Sequence, residues 1–150
     1  MEKKQKLKTC AALLMEVVSQ TRSSINAHII QEIDHSQWVT PGQSRVLFLI
    51  DQGVDTIGNL AVHQKISAPT VSRQMHGLAE KGLVLRERQK NDRRVVTLAL
   101  TVKGKEILEG ILSEAREWIA ANLDQLETRQ IETILEALGY LSDLFKSDRD

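Results

Sequence analysis

The chain has 150 residues, is 41% hydrophobic and 27% charged, and balances 20 Lys/Arg against 20 Asp/Glu. Such a chain can bury a core and has the composition of a water-soluble globular protein, while no window approaches the ~18 apolar residues needed to cross a bilayer, so no membrane partner is expected. One cysteine excludes an internal disulfide and a cysteine-based zinc site; four histidines without HExxH spacing, and no GxSxG or phosphate-cradling loop, leave no catalytic residue, metal site or cofactor to expect.

The N-terminal KKQKLK is basic like the start of a signal peptide, but Glu16 interrupts the apolar segment and no small-residue cleavage site follows; the expected location is cytoplasmic. Residues 5–33 read as one long helix. Leu7, Ala11, Leu14, Val18, Ile25 and Ile29 recur at helical intervals with no Gly or Pro among them, giving one apolar face. Gln37–Gly42 breaks the pattern, with Thr40 as N-cap and Pro41 at N1 of a helix over Gln43–Asp51. Val46, Leu47, Leu49 and Ile50 make that helix nearly all core.

Thr56 is the expected N-cap of a short helix that buries Ile57, Leu60 and Ala61. Ser67 offers a second N-cap, with Pro69 in the first turn, where a missing N–H costs nothing. Val71, Met75 and Leu78, at i, i+4 and i+7, form the buried stripe of this second helix. Thr70, Ser72, Arg73, Gln74 and Gly77 are expected to face out. Gly82 is a stop, Leu83–Arg88 reads as a strand, Gln89–Arg93 as a polar turn and Arg94–Leu100 as a returning strand. Thr101 then caps a helix of roughly twenty residues carrying Ile107, Leu108, Ile111, Leu112, Ala115 and Ile119. A turn near Asn122–Glu127 precedes a last helix with Ile131, Ile134, Leu135, Leu138, Leu141 and Phe145 as its stripe.

The expected fold class is mainly α with a small β-hairpin wing, a winged helix-turn-helix flanked by N- and C-terminal dimerisation helices. Residues 36–101 form the DNA-binding domain, and 1–35 with 102–150 the helical dimerisation region. The wide stripes at both ends need a surface to cover them, which points to a homodimer; a monomeric bundle stacked on the winged domain is the alternative.

Charge is polarised along the chain. Residues 63–94 carry eight bases (Lys65, Arg73, Lys81, Arg86, Arg88, Lys90, Arg93, Arg94) against three acids (Glu80, Glu87, Asp92), a local +5. Residues 105–150 carry five bases against eleven acids, a local −6. A basic centre holds phosphates while an acidic far end is repelled, which orients the approach to duplex DNA. The N-terminal half of the second helix would present Ser67, Ala68, Thr70, Ser72, Arg73 and Gln74 to the major groove. Arg73 suits a guanine and Gln74 an adenine; Thr70 and Ser72 suit phosphates or bases.

The order and spacing of TPGQSRVL, IGNLAVHQKISAPTVSRQMHGLAEKGLVLRE, NDRR and ALTVKG resemble the multiple-antibiotic-resistance regulator (MarR) family of winged-helix transcription factors. The likeness covers about residues 36–110 by motif and the whole chain by helix layout. It implies a homodimer on a palindromic double-stranded operator, acting as a repressor and released by a small aromatic or phenolic effector or an oxidant. NDRR is similar to the family's acidic-x-Arg wing motif. Asp92 would then orient Arg94 into the minor groove, with Arg93 and Lys90 over phosphates. Val95 departs from the small residue common there and leaves open whether Arg93 or Arg94 is inserted. The family's effector pocket, where the first, second and fifth helices meet the winged domain, would be lined by Arg22, His28, Trp38 and Arg45.

Cys10 lies where peroxide-sensing relatives carry a reactive cysteine, and Lys6 and Lys8 would favour its thiolate. The only tyrosine, Tyr140, is far from it in sequence, and a lone helical cysteine is ordinarily an apolar packing residue. A redox-sensing regulator therefore stands as one alternative and a protein-docking winged helix as another, although docking would need no basic stripe. A thiol enzyme would require a second reacting group beside Cys10.

Overall fold

The computed structural model describes residues 2–32, 39–88 and 96–146. In chain order the elements are α1 (Lys3–Glu32), α2 (Pro41–Asp51), α3 (Ile57–Gln64), α4 (Ala68–Glu80), β1 (Val84–Arg88), β2 (Val96–Leu100), α5 (Val102–Leu123) and α6 (Thr128–Lys146). Packing divides the chain into two units, Met1–Ala115 and Arg116–Asp150, with the boundary inside α5.

The core of the first unit is built from α2, α3, α4, the hairpin and the start of α5. Val46, Leu47, Leu60, Val71, Met75, Leu78 and Leu83 are fully enclosed, and Val84, Leu98, Leu108 and Ile111 close the cluster. All three residues of the α4 stripe have no measurable exposure, so the i, i+4, i+7 spacing identifies the buried face correctly.

Local chemistry sets the helix boundaries. Thr40 accepts from Gln43 N–H at 3.1 Å while Gln43 Oε1 accepts from Thr40 N–H at 3.0 Å, a reciprocal capping box. This starts α2 at Pro41, the N1 position expected for it, so the helix includes Pro41 and Gly42 ahead of the Gln43–Asp51 stretch. Thr56 and Ser67 cap α3 and α4 through Asn59 N–H and Thr70 N–H. At their C-termini, α2, α3 and α4 end alike. Val54, Ile66 and Leu83 N–H groups reach back to Leu49, Ala61 and Leu78 carbonyls, across Gly53, Lys65 and Gly82 at positive φ. Lys65, at φ 54, is the non-glycine among them and makes the turn between α3 and α4.

β1 and β2 pair antiparallel from Val84↔Leu100 to Arg88↔Val96. Leu83 was expected in the first strand but stands before it. Its N–H closes α4 and its carbonyl accepts from Thr101 N–H at 3.1 Å, so it is a junction between helix and hairpin. Positions 94 and 95 of the expected second strand lie outside the described residues. A bridge missed in the sequence, Thr56↔Thr97, adds one residue to the free side of β2, supported by Leu98 N–H donating to Asp55 O at 2.8 Å.

Ile29 packs against the core, whereas Leu7, Leu13, Met15, Val17 and Val18 of α1 are exposed and the helix buries no residue. In the second unit, Glu127 N–H is held by Gln130 Oε1 at the start of α6. That helix also buries no residue: Ile131, Ile134 and Leu141 are half-buried, while Leu135, Leu138, Leu144 and Phe145 are exposed. Among the described residues no helix is long and apolar enough to cross a membrane.

Candidate nucleic-acid interface

The surface of interest is the outward side of α4 with the hairpin beside it. The buried stripe takes one side of α4, and at roughly 100° per residue Arg73 points directly away from it. Ala68, Pro69, Arg73, His76 and Glu80 are exposed, as is the cap Ser67. The Ser67 and Thr70 hydroxyls bond each other at 2.8 Å, so both are tied to the helix start.

Gln74 and Gly77 do not face out as the sequence led us to expect. The start of α2 crosses that flank of α4. A Cβ built on Gly42 would sit 2.8 Å from Gln74 Nε2, and one on Gly77 would sit 2.9 Å from Gln43 Nε2. Gln74 is half-buried, and its Oε1 is enclosed without a hydrogen-bond partner. Thr70 and Ser72 are likewise half-buried. Periodicity sees only apolar residues, and so could not register a flank covered by two glutamines lying on two glycines.

The opposite flank of α4 faces the hairpin. Arg86 of β1 donates from Nη2 to the Ser72 carbonyl at 3.5 Å, linking the wing to the middle of α4. At the wing base, Thr101 donates to Gly82 O at 2.7 Å and accepts from Gly104 N–H at 2.9 Å, and Lys103 Nζ reaches Lys81 O at 3.3 Å. A Cβ at Gly104 would lie 2.1 Å from Leu83 O, so the first turn of α5 touches the backbone that ends α4. These ties set the wing's direction relative to α4. Lys65, Arg73, Lys81 and Arg86 are all exposed here, keeping the surface cationic. The wing-tip residues Lys90, Asp92, Arg93 and Arg94 lie outside the described residues.

Three of the four expected effector residues fall among the described residues. His28 is bound through Nε2 to Glu114 Oε1 of α5 at 2.6 Å. Arg22 is exposed on α1, six residues away and thus roughly 120° around the helix from His28. Arg45 is exposed on α2, its guanidinium 5.6 Å from the Phe48 ring centre. Trp38 lies outside the described residues. Cys10 is exposed on α1.

Residues 39–95 match the family model described as MarR family. The HTH-type transcriptional regulator YdgG of Bacillus subtilis is 26% identical over 145 residues, covering 95% of this chain and 94% of that protein. The HTH-type transcriptional repressor YetL of B. subtilis is 25% identical over 122 residues, 79% of this chain and 71% of its own length. Among solved structures, the transcriptional regulator Tm0710 of Thermotoga maritima superposes with a TM-score of 0.75 at 22% identity, covering 94% of this chain and 96% of that one. The helix-turn-helix and the first strand of the hairpin thus lie in the segment that matches the MarR family, and over most of its length the chain is similar to transcriptional regulators of helix-turn-helix type.

Proposed function

We propose that this protein is a homodimeric repressor that binds an inverted-repeat operator with one α4 in each of two successive major-groove faces. The observation that carries the reading is the outward face of α4, capped by Ser67 and centred on Arg73, beside an arginine-bearing wing. Ser67, Ala68, Thr70, Ser72 and Arg73 supply contacts from the helix; Gln74 would join only after its side chain turns off Gly42. At the wing tip, Asp92 orients an arginine, Arg94 or Arg93, into the minor groove, with Lys90 over phosphate. Residues 36–101 do the binding. Those of 1–35 and 102–150 make the dimer through the exposed apolar faces of α1 and α6. A relative described as a repressor supports repression, the simplest outcome of occupying promoter DNA.

An aromatic or phenolic anion is the effector class we assign, with Arg22, Arg45, His28 and Trp38 as its candidate partners. Because His28 already holds a carboxylate, Glu114, an incoming anion would compete with that pair. The exposure of Cys10 supports a second reading, release by oxidation, which Cys10→Ser would abolish without changing DNA binding.

A gel-shift titration against promoter DNA flanking the gene tests the regulator reading. Affinity no better than for random duplex overturns the operator proposal. Arg94→Ala is expected to weaken binding to all sequences and lower the salt slope by about one charge.

A further inference from the structure

We infer that His76 is a specificity-determining residue of this regulator, reading a base edge next to the one read by Arg73. The inference rests on α4 being the recognition helix and identifies which of its side chains carry sequence information.

The two flanks of α4 are not equivalent. Taking Arg73 as the outward direction, Gln74 lies roughly 100° to one side and His76 roughly 60° to the other. The Gln74 side is roofed by the start of α2, with Gln74 Nε2 against Gly42 and Gln43 Nε2 against Gly77. The His76 side is open: its side chain is 73% exposed, the stretch between Arg73 and the wing, where Arg86 reaches Ser72 O. The surface that a groove can reach is therefore tilted away from α2 and toward the hairpin. His76 falls inside it and Gln74 outside.

Reach and chemistry agree with this placement. Along the helix His76 is about 4.5 Å beyond Arg73, a little more than the roughly 3.4 Å between stacked base pairs, so the two side chains address neighbouring steps. Imidazole carries two ring nitrogens able to donate or accept, as reading a base edge requires. His76 Nε2 lies 3.3 Å from Glu80 Oε1 one turn on, with Glu80 67% exposed. An exposed i, i+4 pair of this kind contributes little to stability, so it holds the ring against its own helix in free protein and yields on docking at small cost.

The test is selection of bound sequences from a random duplex library by the full-length protein, its His76→Ala variant and its Arg73→Ala variant, each first checked for an unchanged unfolding midpoint. His76→Ala is expected to flatten the preference at one base step in each half-site, adjacent to the step lost in Arg73→Ala, by about 5- to 150-fold. The salt slope on random duplex should be unchanged. A His76→Ala motif identical to wild type, with the Arg73→Ala motif altered, overturns the assignment while leaving α4 as the recognition helix. Uniform weakening with a smaller salt slope makes His76 a phosphate contact and also overturns it. If neither variant changes the motif, the recognition-helix reading fails, and this inference with it.

Discussion

Gln74 lies over Gly42 where α2 crosses α4, its Nε2 only 2.8 Å from where a Cβ on Gly42 would stand, and its Oε1 is buried without a partner. The arrangement repeats in reverse one turn on, with Gln43 Nε2 over Gly77. Each helix thus supplies a glycine beneath the other's glutamine, which lets α2, capped by Thr40, approach the recognition helix closely.

Replacing Gln74 tests which role governs it. A buried acceptor without a partner is destabilising, so Gln74→Met, of similar length and no amide, should leave stability unchanged or raise it by up to about 1 kcal/mol. Urea unfolding measures this, and the base preference found by duplex selection should not change. Loss of preference at one adenine would mean instead that Gln74 leaves Gly42 when DNA binds.

Two glycines of α5 separate packing from propensity. A Cβ on Gly104 would lie 2.1 Å from the Leu83 carbonyl, a backbone atom that also receives Thr101 N–H, and cannot yield without breaking that bond. Gly104→Ala is expected to lower stability by about 2–3 kcal/mol despite the better helix former. Gly110 has nothing within 4 Å of the same construction, and Gly110→Ala should raise stability by about 0.5–1 kcal/mol. Thermal unfolding of the two variants should move in opposite directions.

The contrast between Gly104 and Gly110 also marks what the sequence could and could not convey. Caps at Thr40, Thr56, Ser67 and Thr101, and the stripe Val71, Met75, Leu78, depend on residues within a turn or two of one another, and local rules recover them. Gly104 against Leu83, Gln74 against Gly42, Thr56 beside Thr97 and His28 on Glu114 join residues far apart in the chain. Nothing in their spacing announces them. For the candidate site this meant that the helix and its outward centre, Arg73, were legible, while the flank left open was not, because that depends on where α2 crosses.

Lys65 makes the turn between α3 and α4 in the left-handed region, at φ 54. A side chain there costs about 1–2 kcal/mol, of which glycine recovers part and loses part again through the freedom of its unfolded chain. Lys65→Gly should raise stability by about 0.5 kcal/mol, and Lys65→Val, β-branched, should lower it by more than 1 kcal/mol. A denaturation series that ranks Val above Lys would remove strain as the description of this turn.

The exposed apolar residues of α6 give the dimer proposal its sharpest test. Leu138 is 55% exposed and Phe145 58%, on the same face of the helix as the half-buried Ile131, Ile134 and Leu141. A two-fold interface uses each residue twice, so one substitution removes two buried side chains. At about 1.5–3 kcal/mol for each leucine, Leu138→Asp should weaken dimerisation by on the order of 10²- to 10⁴-fold. Sedimentation at micromolar concentration should then show monomer. Binding to a duplex carrying two half-sites should fall toward that for a single half-site, because linked copies bind the second half-site at a high effective concentration and separate copies do not. The α4 surface is left intact by the substitution, so binding to one half-site should persist, which distinguishes loss of the partner from loss of the fold. A Leu138→Asp protein that sediments as the wild-type dimer would place the interface on other residues, with the bare apolar face of α1 next to be substituted.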